Sequence, residues 1–405
     1  MALKSAKPAE LEPVSRIEPT LLDEVPGELN DVVAELAAAS SRLGSSLHAT
    51  TAASLADLVR IMNTYYSNLI EGHNTRPRDI VRALAGKFAR DEARRNLQRE
   101  AAAHVRVQRE IDRKGAAGEL GEPAALDFLR GLHREFYRDA SAEMLRIKSD
   151  EHSFLMTPGE WRSSPEEDNA VGRHVPPSSA RVGEFMAGFA DRYALGKHRQ
   201  GARILAIPAA HHRFNCIHPF PDGNGRVSRL MSHAMGYSAG IDAHGLWSIS
   251  RGLARGLKSR TEYKAMMDRA DSPREGDLDG RGNLSRKALV EFTKWFLEVS
   301  LDQVKFMSGL FEIQTLARRL KSLVERSETL KLESAALLEA ALMRGEIERG
   351  AAPGITGLPE RTARRTLNDT VEAGLLASAT PKGPVSLRFP EAALETLFPR
   401  LFPQA

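Results

Sequence analysis

The chain has little that would staple, metallate or anchor it. Cysteine occurs once, at Cys216, which excludes an intrachain disulfide and a cysteine-rich metal cluster. No run of eighteen apolar residues occurs, so no segment reads as a membrane-spanning helix. The opening stretch Met1 to Arg16 lacks an apolar core and carries acids, which argues against a signal peptide. No internal repeat at a solenoid period is found. Together these absences give the expectation of a soluble protein of the reducing cytoplasm with no membrane partner. Neither sign of charge dominates: the net charge is +4 and the pI near 9.1. Such mild basicity is compatible with nucleotide or nucleic-acid contact without demanding either.

What is present is an ordinary globular composition, 42% hydrophobic and 27% charged, over 405 residues. That length predicts two to three domains. Residues 1–27, rich in Pro, Glu and Ser, read as a flexible arm. From Asp31 to Leu69 apolar residues recur at three and four (Val33, Leu36; Leu55, Leu58, Ile61, Met62), predicting helices. A break falls at Gly72-His73-Asn74, with Thr75 expected as N-cap and Pro77 early in the next helix. Helical pattern continues to Tyr137. Residues 148–177 read as an extended, loop-like stretch containing a short hairpin. Helices resume from Val182 to Val324, interrupted by a surface loop at Asp271–Asn283. The last segment reads as helix Ser334–Ile347, a break at Gly354–Gly357, helix Pro359–Ala373, and two apolar stretches around Pro381-Lys382-Gly383. Helices ending in a hairpin suit a winged helix-turn-helix. The division expected is 28–110 for an N-terminal helical region, 111–325 for a core domain and 326–405 for the winged unit.

The chemistry concentrates at Ile217 to Arg229, IHPFPDGNGRVSR, between two apolar-periodic stretches. It is therefore a loop joining two helices. Gly223-Asn224-Gly225 at the start of the second helix lets backbone N–H groups converge with no Cβ in the way, and the helix N-terminus favours an anion there. Arg226 and Arg229 are spaced to reach one polyphosphate. Asp222 is a hard oxygen ligand suited to Mg²⁺. His218 titrates near neutrality and can accept a proton. Phe220 is expected to anchor the loop. Each part alone is commonplace; their conjunction within twelve residues is not.

His218 to Arg229 resembles the signature of the Fic family: His, any residue, Phe, any residue, Asp or Glu, Gly-Asn-Gly-Arg, two residues, Arg. Ala209-Ala210-His211, Phe214 and Ile217 are similar to the family's preceding helix. The resemblance implies an all-α Fic core with a β-hairpin flap, and a protein adenylyltransferase using ATP and Mg²⁺. By it, His218 is the general base, Asp222 holds the metal, and Gly223, Asn224, Gly225 and Arg226 bind the α- and β-phosphates. Arg229 holds the γ-phosphate, and Tyr263 lies beside the adenine. The partners implied are proteins bearing Ser, Thr or Tyr hydroxyls, the chain itself among them. Keeping Asp222 and Gly225 favours AMP transfer over phosphotransfer.

Ser67 and Glu71, four apart and followed by Gly72, lie on one helical face. The segment resembles the inhibitory helix of regulated Fic proteins (about residues 55–72), in which Glu71 would pair with Arg229 and hold ATP unproductively. The stretch Met156–Pro177 stands where the flap is expected, ending near Val171-Gly172 and Val175-Pro176-Pro177, and Trp161 is either site-lining or core. In the terminal unit, Arg361, Arg364, Arg365 and Asn368 fall on the outer face of a helix and Lys382 at the wing tip, as DNA contacts would. Glu360, Asp369 and Glu372 dilute that face. Two alternatives stay open: removal of AMP with Glu71 positioning water, and a nucleotide-sensing DNA-binding regulator. The exposed helices and the tail also allow a homodimer.

Overall fold

The computed structural model describes residues 12–148, 152–168, 170 and 174–402. Among the described residues, sixteen α-helices carry the fold. The first five are α1 (Gly27–Ser45), α2 (Ala49–Ile70), α3 (Pro77–Leu84), α4 (Glu92–Ala116) and α5 (Leu126–Phe136). After a small hairpin, β1 (Arg146–Lys148) with β2 (Ser153–Leu155), come α6 (Val182–Arg192), α7 (Gln200–Ile217), α8 (Asn224–Ser238), α9 (Ile249–Arg255), α10 (Glu262–Ala270), α11 (Arg286–Leu310) and α12 (Ile313–Glu325). The last part is α13 (Ser334–Arg344), β3 (Glu346–Ile347), α14 (Ala352–Thr356), α15 (Glu360–Glu372), β4 (Leu376–Ala377), β5 (Val385–Leu387) and α16 (Glu391–Leu397).

Helix α1 follows the amphipathic rule, burying Leu29, Val33, Leu36 and Leu43 at three-to-four spacing against α11. Helix α2 does so only over its first half. From Asn63 to Asn68 every residue is buried, because α4, α9 and the terminal unit enclose its C-terminal end. Helices α7 and α8 form an antiparallel pair sunk in the core, joined by the loop 218–223.

The terminal unit has three antiparallel strands in the order β3-β5-β4 beside α13, α14 and α15. Ala363 and Leu367 of α15 are buried, with Val371 partly so. The unit lies along α2: Thr51 Oγ1 donates to Leu342 O (3.1 Å), Tyr66 Oη donates to Leu401 O (3.2 Å), and Arg251 of α9 donates to Arg400 O (3.1 Å).

Several expectations need correction. Residues 12–27 are packed rather than loose; Ile17 is buried, and Pro19 O accepts from Arg213 Nε (3.1 Å) and Nη2 (2.9 Å). The reason is Arg213 itself: a fully buried guanidinium needs carbonyl acceptors, and the arm supplies one. Residues 1–11 lie outside the described residues. The boundary expected between 110 and 111 falls inside α4. Arg76, not Thr75, precedes Pro77 as the cap, and Thr75 instead accepts from Asn68 Nδ2 (3.4 Å). The hairpin stands at 146–155, upstream of Met156–Pro177, and Val171-Gly172 lies outside the described residues. Gly354 sits within α14, and Gly357 alone, at φ 70°, makes the break.

Candidate functional site

The site is built on the turn between α7 and α8. His218 ends α7 in the left-handed conformation (φ 50°, ψ 59°), donating its backbone N–H to Phe214 O at 2.9 Å. For a residue with a Cβ that geometry costs roughly 1–2 kcal/mol, so its surroundings must hold it. Phe220 does part of this: it is buried, stacked on His133 at 3.9 Å and 14°, with Trp161 at 4.5 Å. Asn224 closes the loop, accepting from Phe220 N (2.9 Å) and donating to Phe220 O (2.7 Å). Its amide is thus committed, leaving its backbone N–H as the group it can offer an anion. Gly223 stands at φ 82°, and a Cβ there would meet Tyr137 Oη at 2.9 Å.

At the α8 N-terminus the first N–H groups have no partner within the helix; the helical bonding begins with Val227 N to Gly223 O. A carboxylate stands beside Gly225 in this turn. A Cβ on Gly225 would lie 2.5 Å from Glu71 Oε1 and 3.1 Å from Arg229 Nη1. Glu71 caps the C-terminal end of α2 and pairs with Arg229 Nη2 at 2.5 Å. Arg229, 2% exposed, also donates Nε to Ser67 Oγ (2.9 Å) and Nη2 to Ser67 O (3.3 Å). Partial burial would raise the Glu71 carboxyl, but the Arg229 and Arg226 cations outweigh it and hold it below its ordinary value. Glu71 keeps 30% of its side chain exposed, so the pair is open on one side.

Arg226 does not share these partners. It pairs with Glu100 of α4 (2.7 Å) and with Asp222 (2.8 Å), and lies over the Phe136 ring at 5.3 Å. Glu100 also faces His73 at 3.3 Å. Asp222 accepts from both Arg226 and Tyr137 Oη (2.6 Å) through Oδ2, and its side chain stays 43% exposed. Desolvation raises that carboxyl, but Arg226 and Tyr137 lower it further. A half-exposed ionised carboxylate at the mouth of a helix N-terminus suits Mg²⁺, which takes one or two carboxylates and keeps phosphate and water for the rest.

Burial, then the charges of Arg162 and His174, push the His218 imidazole down to about 4, despite Asp222 and a hydrogen bond to the Asn215 backbone. At neutral pH the ring is therefore unprotonated and able to take a proton. His174 is the opposite case. Burial lowers it, but Asp271 (3.2 Å) and the Cys216 side chain outweigh that and raise it to about 10; its Nε2 also lies 2.7 Å from the Cys216 carbonyl oxygen. His174, Cys216 and Asp271 place potential ligand atoms within 4.8 Å of one another, yet both nitrogens of His174 are already engaged.

Tyr263 is buried, its Oη 2.8 Å from His211 Nε2 and its ring parallel to Trp295 at 6.2 Å. That leaves the hydroxyl committed beneath the site. Trp161 lines a cleft of about 550 Å³ beside the loop, with Leu155, Thr157, Arg162 and Pro221. Sequence reasoning missed Arg162, Glu100, Tyr137 and His174. None stands at a recognisable spacing from the loop, and only the packing of α4, α5 and the 160–177 stretch brings them to it.

Residues 123–235 match the family model described as Fic/DOC. The chain carries a Fic/DOC family domain. The domain holds the whole loop His218–Arg229, whereas Glu71, Glu100 and Tyr263 lie outside it. Curated relatives include the protein adenylyltransferase Fic of Drosophila ananassae, 38% identical over 71 residues, which are 17% of this chain and 14% of the relative. That of Nematostella vectensis is 33% identical over 91 residues, 22% of this chain and 20% of the relative. The match thus spans a fifth or less of these relatives' length. Among solved structures, a Fic family protein from Desulfovibrio desulfuricans superposes with a TM-score of 0.52 at 17% identity, covering 90% of this chain and 97% of its own. A Fic domain containing signaling protein from Bacteroides thetaiotaomicron gives 0.50 at 18%, covering 68% and 96%. These likenesses show the helical Fic fold. No described helix is long and apolar enough to cross a membrane.

Proposed function

We propose that this protein transfers AMP from ATP to hydroxyl side chains of proteins and is held in check by Glu71. The observation that carries the reading is a carboxylate already seated over Gly225 at the α8 N-terminus and paired with Arg229. A space at a helix N-terminus that already seats one carboxylate against an arginine is suited to seat another anion. With Glu71 withdrawn, the N–H groups of Gly225 and Arg226 would receive phosphate oxygens, and Arg229 would gain the terminal phosphate as its partner. His218, neutral and at the lip of the turn, would accept the proton of the target hydroxyl. The hydroxyl oxygen then bonds to the α-phosphorus, and the bond from that phosphorus to the oxygen of the β-phosphate breaks, releasing pyrophosphate. Asp222 would hold Mg²⁺, which would neutralise phosphate charge when bound. Intact-mass analysis after incubation with ATP and Mg²⁺ tests this. Addition of one AMP per acceptor, lost in His218→Ala, supports it; no addition in the Glu71→Gly variant overturns it.

The order α13, β3, α14, α15, β4, β5 also supports a winged helix-turn-helix for the terminal unit. Arg361, Arg364, Arg365 and Lys382 are exposed on it; Arg364 is paired with Glu360 at 2.6 Å. A DNA affinity that falls steeply with salt and drops in Arg364→Ala/Arg365→Ala would support a nucleic-acid role. A flat response in both would remove it.

A further inference from the structure

Arg162 is the most heavily engaged side chain around the catalytic turn that the reaction scheme leaves unused. It is 3% exposed although it lies in a stretch without regular structure. Its Nε donates to His218 O at 2.7 Å, and its Nη2 donates to Ile217 O at 3.2 Å and Pro177 O at 2.9 Å. Its Nη1 pairs with Asp168, which in turn accepts from Ser179 N at 3.0 Å. Its own backbone N–H donates to Pro219 O at 2.8 Å. One residue therefore bonds the carbonyls of three consecutive residues, 217 to 219, with His218 in the middle.

Those carbonyls need such a partner. The last turn of a helix leaves its C=O groups without intrahelical donors, and a left-handed turn directs the chain away before they can be satisfied. Glycine would take that conformation freely, but a base requires a side chain there. A planar guanidinium with five donors in a fixed fork meets several carbonyls at once; an ammonium on a flexible stem does not.

We infer that Arg162 is the positioning residue that sets the His218 backbone and ring for proton transfer, and couples them through Asp168 and Pro177 to the irregular stretch whose Trp161 lines the cleft beside the loop. The inference rests on the adenylyl-transfer reading for its catalytic consequence, but not for its structural one. The guanidinium also contributes field: it faces the imidazole together with the cation His174 and the carboxylate Asp222, and it is among the groups that depress the ring's basicity.

Two measurements test it on the full chain. The first follows the His218 ring by NMR titration, assigned by its loss in His218→Ala, in the wild type, Arg162→Gln and Arg162→Lys. The ring should titrate at higher pH in Arg162→Gln and stay close to wild type in Arg162→Lys, which keeps the charge. An unchanged titration in Arg162→Gln overturns the inference, whether or not the protein transfers AMP. The second compares kinetics in the Glu71→Gly background. Arg162→Gln and Arg162→Lys should both lower kcat by about tenfold or more, since small misplacement of a catalytic group costs up to ~100-fold. KM for ATP should stay within about threefold, because the nest and Arg229 are untouched. The acid limb of the rate should move to higher pH in Arg162→Gln only. Equal losses in kcat and ATP affinity, tracking a fall in melting temperature, would make Arg162 a merely structural residue and contradict the inference. If the Glu71→Gly parent transfers no label, the adenylyl-transfer reading fails while the titration still decides the role of Arg162.

Discussion

Replacing Glu71 by glycine removes the carboxylate over Gly225 and the ion pair to Arg229 in one step. Arg229 keeps Ser67 Oγ and Ser67 O as acceptors, so the guanidinium is not abandoned. What disappears is one charge-assisted hydrogen bond with an exposed edge, a contact of about 1.5–3 kcal/mol. If that contact is what ATP must displace to bind productively, its loss raises transfer by about 10- to 150-fold, at ~1.4 kcal/mol per decade. The assay is initial-rate labelling from α-³²P-ATP with Mg²⁺ at subsaturating ATP, with Glu71→Gln alongside. Glutamine keeps the volume over Gly225 without the charge, so its rate should fall between wild type and glycine. The melting temperature without nucleotide should drop modestly, while the upward shift on adding ATP should be larger than in wild type. Rates within about twofold of each other for all three proteins would refute the brake.

Three further outcomes follow from the same geometry. In Gly225→Ala the new Cβ would sit 2.5 Å from Glu71 Oε1, so the Glu71 contact is broken and the nest is filled together; Glu71→Gly/Gly225→Ala should show no gain in labelling over wild type. Phe220→Ala removes a fully buried ring stacked on His133, which should cost about 3–5 kcal/mol in denaturant unfolding and abolish labelling. Acid should destabilise the fold before carboxylates titrate. Burial holds His104 and His211 down to about 3 and His133 and His218 down to about 4. The unfolded chain binds protons at these sites from about 6.5 downward, so stability should fall as pH drops from 6.5 toward 3–4. His174, raised to about 10 by Asp271, acts the other way: its contribution is complete below 6.5 and is lost as pH rises toward 10. Chemical denaturation across pH 4–9 checks both limbs, and a stability constant from 6.5 down to 4 would contradict the first.

The helices and the catalytic turn were legible because their signals are local. Three-and-four spacing marks α1 and the first half of α2, and the loop from His218 to Arg229 carries its groups within one short segment. Ser67 and Glu71 could be paired with Arg229 in advance only through resemblance, since 158 residues separate the two charges. The partners of Arg226 were not readable. Glu100 lies in a helix rich in charged residues, and it is buried where α4 packs on α8 and its carboxylate pairs with Arg226. Arg162 gave no signal either, as an arginine among serines and glutamates in an irregular stretch. The loose arm was misread for a related reason: Val14, Ile17 and Leu21 are too few and too broken by prolines to mark a face, and what fixes the arm is a buried arginine nearly 200 residues away.

The most direct test of adenylyl transfer is the position of the label. Wild type, Glu71→Gly and His218→Ala are incubated with Mg²⁺ and ATP labelled at the α- or the γ-phosphate, with the chain itself and added cell proteins as acceptors. Protein-bound label from α-ATP alone, strongest in Glu71→Gly and absent in His218→Ala, is the result expected. Label from γ-ATP, or equal label with and without His218, would contradict the account.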